Sequence, residues 1–587
     1  MIYGIIDFSG QKNNLPDNSD NKSKVYQFEG MSIVASLDNT TSVASSQDTI
    51  VISSGILYED LNESNPQLSF SERVLNDYDK EKLSLNNYSG KFSIVIIDKT
   101  ARKVILAIDK FSESKLCYSR KGTLLYFSTS AKTIAKLRND YSLSMEAVGM
   151  FFSHNYICAP LTIFEGIKKV SPGTVVSLIE NSCEITKYYD VFSIINKRGK
   201  SEKMSFEESV NLVQEALSRS INKRLGMIDN CQPALLLSGG IDSTLLCDFL
   251  KKTGIDFKAF SASVVDAGRN NLDESDAAKI IAKHFQVPHE VIKVDPLELR
   301  DSIINDMAST DEPMSNKTYG VASRMIKYAA SQRSNCIFSG DGGDELFLGY
   351  PWYQRVDKAQ KLFGFLGAFR FIFDNKLVSY FMPSKLIDLL YVAQKAPKGQ
   401  LLTVNQVEET NRLLNSQDIN LYYTADDIPV DRWFKVKNLI DLYYGTQAAI
   451  RKWNDISFNN GILHLSPMLD EEMINAVSEI PIQYLMSENN NKIILRKMVG
   501  YELPDISKLP KHGFDIPMAN WIRTAFRNRL EEITDNNFVR NQGVFVETEL
   551  ERIKQSFLLG KNSFRLDSET FMCNYFVFQN WLESIKS

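Results

Sequence analysis

The sequence predicts two successive folds, a sheet-rich α+β domain followed by an α/β domain built on a parallel sheet. Two observations carry this. Over roughly the first 190 residues, short apolar runs of period-2 character are broken by Ser/Asn/Asp/Gly clusters, with few long helical patterns. Past about residue 205, apolar strand runs alternate with segments of 3.6-residue spacing, the pattern of a parallel sheet with covered faces. Length agrees, because 587 residues exceed what one hydrophobic core organises at ~100–200 residues per domain.

The first-domain strands are expected at SIVAS (32–36), TIVISSGILY (49–58), FSIVIIDK (92–99), KVILAIDK (103–110) and TLLYFSTS (123–130). After Tyr188-Tyr189-Asp190 the polar stretch NKRGKSEK (196–203) reads as a linker, which sets the domains at 1–195 and 205–587. FEESVNLVQEALSRSINKRL (206–225) opens the second domain as an amphipathic helix. Its strands follow at PALLLS (233–238), FKAFSA (257–262), HEVIKV (289–294) and NCIFSG (335–340). LFGFLGAFRFIF (362–373) reads as a buried or groove-lining helix, since Arg370 interrupts it and it falls short of the ~20 residues that span a bilayer.

Composition excludes several classes. Lys+Arg 67 against Asp+Glu 72 leaves a net charge of -5 and no basic field to hold a polyanion, so nucleic acid is not an expected partner. The seven cysteines form no CxxC pair, which argues against a disulfide scaffold or structural zinc and fits a reducing cytoplasm. The five histidines include no HExxH, so no transition-metal ligand set is visible. Met1 to Asp7 has no basic n-region, unlike a signal peptide, and no membrane span is expected.

The strongest chemical signal is Leu235-Leu236-Leu237-Ser238-Gly239-Gly240-Ile241-Asp242-Ser243-Thr244, between an apolar strand and an apolar helix start. Glycines let the backbone approach an anion, and Ser238, Ser243, Thr244 and the helix N–H groups supply donors, which makes a pyrophosphate cradle. The lysine of GxxxxGK[ST] is missing, so this is not a Walker loop. Asp242 inside an anion nest is explained by a bridging cation, Mg²⁺ held through one or two carboxylates. A glycine-rich strand-to-helix turn with an Asp cap would give the same string. The second constellation, Asp341-Gly342-Gly343-Asp344-Glu345, follows the strand NCIFSG and should lie at the carboxyl end of a neighbouring parallel strand, where open α/β sheets bind ligands. Asp242 and Asp344 could then share one Mg²⁺.

Together SGGIDST, LDES (272–275), DEP (311–313), SGDGGDELFLGY (339–350), SPMLD (466–470), ILR (494–496) and KHGFDIPMANW (511–521) resemble the synthetase half of the glutamine-dependent asparagine synthetase family. GIIDF (4–8), SSGILYEDL (53–61), SGKFSIVIIDK (89–99), AIDKFSESKLCY (107–118) and FEGIKKVSPGT (164–174) resemble its glutaminase domain. The resemblance implies an N-terminal-nucleophile-type glutaminase-like sandwich followed by an ATP-pyrophosphatase domain of the adenine nucleotide alpha hydrolase-like kind. It implies that a carboxylate attacks the α-phosphate of ATP, pyrophosphate leaves, and an amine captures the acyl-adenylate. On this chain it places Leu237, Ser238, Gly239, Gly240, Asp242, Ser243, Ser339 and Gly340 against ATP and pyrophosphate, Asp242 and Asp344 on Mg²⁺, Asp341 at the intermediate or the amine proton, and Lys511 against charge developing on the adenylate. A lysine suits that last task as a compact point donor.

The chain also departs from the family pattern. Ile2 and Tyr3 stand where the glutaminase has its nucleophilic cysteine, the first cysteine is Cys117, the Asn-Gly-Glu pattern reads Ser54-Gly55-Ile56, and the acid before the GxF turn reads Ser89. No thiolate is available for attack on an amide, so the first domain is expected to be catalytically silent. Before SPMLD a glutamate-and-arginine signature reads Gly461-Ile462-Leu463-His464-Leu465, and the stretch from about 351 to 440 adds aromatic apolar surface, both of which point away from aspartate toward a larger, less polar substrate. Members with such losses include lasso-peptide cyclases and β-lactam synthetases. Asp341, where the latter tend to carry tyrosine, and the chain length favour the cyclases. The reading is therefore an AMP-forming, ATP- and Mg²⁺-dependent amide synthetase that cyclises a peptide. Its substrate is a peptide or small carboxylate, and its partners are a leader peptidase and a leader-binding protein. An ammonia-dependent asparagine synthetase or small-molecule amide synthetase with the same site, and a non-catalytic scaffold, are the alternatives.

Overall fold

The computed structural model describes residues 2–8, 23–28, 31–36, 41–58, 68–180, 182–195, 204–227, 232–264, 274–308, 310–316, 318–366, 414, 433–506, 516–560 and 567–586. They divide into two compact units, one made of Met1–Val148, Ile157–Val191 and Ile221–Cys231, the other of Gly149–Tyr156, Phe192–Ser220 and Gln232–Ser587.

The first unit is an antiparallel sandwich. One sheet runs in the order β10 (Lys168–Lys169), β8 (Cys117–Lys121), β9 (Leu124–Ser128), β1 (Ile2–Asp7), β3 (Met31–Ser36), β2 (Ser23–Phe28). The other runs β12 (Ser182–Lys187), β11 (Thr174–Ile179), β7 (Lys103–Ile108), β6 (Gly90–Asp98), β5 (Thr49–Leu57), β4 (Thr41–Ser45). Strand alternation divides the second sheet between two cores. Ile50, Ile52, Val95, Ile97, Val104, Leu106 and Ile108 join Ile2, Ile6, Leu125 and Phe127 of the first sheet. Their neighbours Val51, Ile94, Ile96, Ile105 and Ala107 pack with Val74 on the opposite face, under the helix Phe70–Asp79. The central strands are thus buried on both sides, which is why their sequence runs are almost continuously apolar.

The second unit holds a five-stranded parallel sheet in the order β15 (His289–Val294), β14 (Lys258–Val264), β13 (Pro233–Leu236), β16 (Cys336–Phe338), β17 (Leu463–Leu465). The chain moves outward from β13 through β14 to β15, with helices Ile241–Lys252 and Glu274–Phe285 between strands, then returns through Pro296–Ala308 and Tyr319–Ser331 to β16 on the other side. Strand order therefore reverses between β13 and β16, the crevice where such sheets bind ligands. The helix expected at 206–225 spans Phe206–Gly226. PALLLS is strand only as far as Leu236. Of LFGFLGAFRFIF, the first five residues end the helix Pro351–Leu366 and the remainder lies outside the described residues. No helix among the described residues is long and apolar enough to cross a membrane.

Candidate active site

The two glycine turns leave the ends of β13 and β16, which pair in parallel with Leu235 opposite Phe338. In the first turn Gly239 takes φ +77, a left-handed conformation that costs glycine nothing. Gly240 then starts the helix Ile241–Lys252 with no side-chain cap. Asp242 is therefore not the N-cap but stands in the first turn of that helix. Ser243 Oγ lies 3.1 Å from both the Ser238 hydroxyl and the Gly240 carbonyl, and the Thr244 hydroxyl donates to Gly240 O at 2.7 Å, so the hydroxyls brace the turn. Ser238 and Gly240 are exposed, while Leu237, Gly239 and Ser243 are buried. The uncapped N–H groups at this helix start are what an anion needs.

In the second turn Ser339 is buried, Gly342 takes φ +88, and Asp344 sits in the short helix Gly343–Leu346. A Cβ on Gly343 would lie 2.6 Å from Asp242 Oδ1, and one on Gly340 would lie 2.7 Å from Asp242 Cβ. Asp242 thus fills the space these glycines leave open, and the two turns interlock.

Lys492, which the sequence reading did not single out, joins them. Its ammonium pairs with Asp242 Oδ2 and lies 2.7 Å from Asp344 Oδ1, with 6% of the side chain exposed. Lys492 begins the helix Ile493–Glu502 from a left-handed conformation, φ 50. The ILR motif explains its placement. Arg496 Nε and a terminal nitrogen donate to Asn491 O at 2.9 Å and to Asn491 Oδ1 at 3.1 Å, and Asn491 in turn donates to Gly349 O. The arginine clamps the residue next to the lysine.

Asp341 faces different partners. Ser339 Oγ donates to Asp341 Oδ2, His464 Nε2 lies 2.8 Å from Ser339 Oγ and 3.7 Å from Asp341 Oδ2, and Trp453 stacks on the imidazole at 5.7 Å. Burial pushes the Asp341 carboxyl up, but hydrogen bonds from His464 and Ser339 and the charges of His464 and Lys452 outweigh it and hold the group down to about 2. Glu345 goes the other way. It is raised to about 7, mainly by burial and secondarily by the Asp441 and Asp341 charges, while Tyr350 donates to it at 2.8 Å. Tyr350 also stacks on Trp352 at 4.0 Å. Of the DEP motif, Glu312 is fully buried against Arg451 at 2.8 Å. Lys511 and Asp273 of LDES lie outside the described residues.

A parallel sheet with acid-bearing glycine turns at its reversal point is the architecture of a ligand-binding α/β protein. Residues 212–583 match the Asparagine synthase family and residues 65–189 the glutamine amidotransferase domain. The chain belongs to the asparagine synthase family, and its second domain is an ATP-pyrophosphatase-type domain of ATP-dependent amide ligases. The chain is 22% identical to asparagine synthetase (glutamine-hydrolyzing) 1 of Bacillus subtilis, over 78% of this chain and 73% of that one. It is 24% identical to asparagine synthetase (glutamine-hydrolyzing) 3 of the same organism, over 74% and 69%. Among solved structures, the NH3-dependent NAD synthetase of Campylobacter jejuni aligns with 25% of this chain and 61% of its own at 17% identity and a TM-score of 0.18.

Proposed function

We propose that the chain is an AMP-forming synthetase that adenylates a carboxylate on ATP and passes the acyl group to an amine, and that its reaction is macrolactam closure of a lasso precursor peptide. The observation that supports the chemistry is the convergence of Asp242 and Asp344 on one point at the reversal between β13 and β16. Two carboxylates match what Mg²⁺ asks of a protein when phosphates complete its shell, and Asp242 Oδ1 is buried with no hydrogen-bond partner among the described residues. Asp242 and Asp344 would hold the ion, which supplies positive charge to the phosphates when bound. Leu237, Ser238, Gly239, Gly240 and Ser243, with Ser339 and Gly340 across the crevice, would seat the nucleotide by backbone N–H and hydroxyl donors. Lys492 stands between the two acids and pairs with both. Asp341 would receive the amine, and Lys511 would meet charge developing on the adenylate.

The finer reading rests on substitutions. Leu463 and Leu465 stand in the segment where the family carries charge, and the stacked Tyr350 and Trp352 adjoin the second turn, so the surroundings suit a substrate more apolar than free aspartate. A leader-binding protein and a leader peptidase would act on the same precursor. At the start of β1, Ile2 is fully buried and offers no nucleophile, so the first domain, bounded near residue 195, serves as structure.

Two measurements test this. Pyrophosphate release from ATP and Mg²⁺ should depend on an added peptide bearing a free N-terminus and an Asp or Glu side chain, and the peptide should lose the mass of one water. Product formed from aspartate and ammonia instead would return the chain to asparagine synthesis. Glutamate release from glutamine should not exceed a buffer control.

A further inference from the structure

The segment Gly461–Leu465, set apart in the sequence for what it lacks, supplies β17, and its central residue His464 is completely buried beside Asp341. The polarity of the hydrogen-bond chain there is forced. An ionised carboxylate only accepts, so the single proton of Ser339 Oγ goes to Asp341 Oδ2, and His464 Nε2 must carry a proton and donate to Ser339 at 2.8 Å. One oxygen of Asp341 is thereby fixed from behind. Lys452 adds a second buried basic side chain. It comes from the helix Thr446–Asn459, donates to Thr318 Oγ1 at 3.0 Å and lies over the Trp453 ring at 4.3 Å. Two basic side chains enclosed around one acid are expensive to bury unless they compensate its charge.

We propose that His464 is a positioning residue for Asp341: through Ser339 it fixes one carboxylate oxygen and keeps the group anionic, so that the other oxygen meets the incoming amine. This rests on the reading of Asp341 as the group that receives the amine. The charged and titratable groups around Asp341 are His464 from β17, Lys452 from the helix Thr446–Asn459 and Glu345 from the helix Gly343–Leu346. The low value of about 2 for Asp341 agrees with the geometry.

The test uses the full chain and the variant His464→Gln, whose amide can still donate to Ser339 but carries no charge. The first readout needs no substrate. Carbon-13 NMR of protein labelled at the aspartate carboxyls, with Asp341→Asn to assign the signal, should show Asp341 ionised in the wild type at pH 4.5. In His464→Gln its proton affinity should rise at least about tenfold, with Lys452 limiting the shift. If His464→Gln does not fold, Ser339→Ala breaks the same chain and should raise the affinity in the same direction. The second readout separates the two chemical steps. Pyrophosphate release should stay within about threefold of wild type, while the acid limb of hydroxylamine capture by the activated carboxylate should move to higher pH by the same factor as the carboxyl titration. A purely structural histidine would lower thermal stability and leave both the carboxyl titration and the pH profile of capture unmoved, and that result overturns the proposal. If the wild type releases no pyrophosphate with any carboxylate, the synthetase reading has failed, and the titration alone decides the role of His464.

Discussion

Asp109 in the first unit is fully buried and Asp341 in the second is half-buried, with 21% of its side chain exposed, and the two acids respond in opposite directions. Asp109, in the sandwich, accepts backbone N–H groups of Ser114 at 2.7 Å, Glu113 at 2.9 Å, Phe111 at 3.0 Å and Phe92 at 3.4 Å, yet burial outweighs all four and raises it to about 6. Asp341, in the parallel-sheet unit, is also pushed up by burial, but a hydrogen bond from His464, the charges of His464 and Lys452 and a hydrogen bond from Ser339 together hold it down to about 2. Backbone dipoles alone do not offset burial at Asp109, whereas side-chain hydrogen bonds joined to nearby positive charge do so at the less buried Asp341. The first acid ties a turn together, while the second faces basic side chains across the crevice end of its sheet.

The contrast can be broken most severely at the crevice. Asp344→Asn and Asp242→Asn should each lower carboxylate-dependent pyrophosphate release about 10³-fold with unchanged circular dichroism, since metal-borne charge contributes several kcal/mol to such a step. A loss under tenfold would remove the acid from the metal site. Asp109→Ala should instead cost at least about 3 kcal/mol in denaturant unfolding, because four buried amides lose their acceptor.

The pH dependence sharpens the comparison. Asp109 has a folded value near 6 against an unfolded 3.8, so its contribution is fully present below pH 3.8 and is lost as pH rises through 6. The stability gap between wild type and Asp109→Ala should therefore be about 2 kcal/mol larger at pH 4 than at pH 6.5. Asp341 has the opposite sign, with stability present above pH 3.8 and lost only as pH falls through about 2. Equal gaps at pH 4 and 6.5 for Asp109→Ala would show that the amides, not burial, decide its state. The smallest effect belongs to the capping box of the helix Phe70–Asp79, where the Ser69 hydroxyl accepts from Glu72 N and the Glu72 carboxylate from Ser69 N. Ser69→Ala should cost about 1 kcal/mol, read by thermal unfolding.

Legibility in the sequence followed the range of the interactions. HEVIKV coincides with β15 and the helix after 206 with its periodicity, because local pattern dictates both. The glycine turns were legible because a tight strand-to-helix turn demands a particular local string. Lys492 was not, since it meets an acid 250 positions away and has no periodic neighbour, although a lysine two residues ahead of ILR was a faint signal. His464 left a clearer one, a lone polar residue inside the apolar run Ile462 to Leu465, where burial requires a partner. It read as the absence of a charge pair because its partner, Asp341, lies far upstream.

The glycines of the second turn carry one more consequence. Their usual explanation is freedom of backbone rotation, but Gly340 and Gly343 are set by clearance, because a methyl on either would strike Asp242. Positions 242, 340 and 343 therefore behave as a single mutational unit. A chain that enlarges Gly343 must first shorten the acid, whereas one that enlarges Gly340 must remove the acid's Cβ altogether, because Gly343 faces the carboxyl group and Gly340 the Cβ. Gly343→Ala would accordingly act as an acid-directed lesion without touching a charge, and a library randomised at 343 in an Asp242→Gly background should accept side chains that the native background rejects.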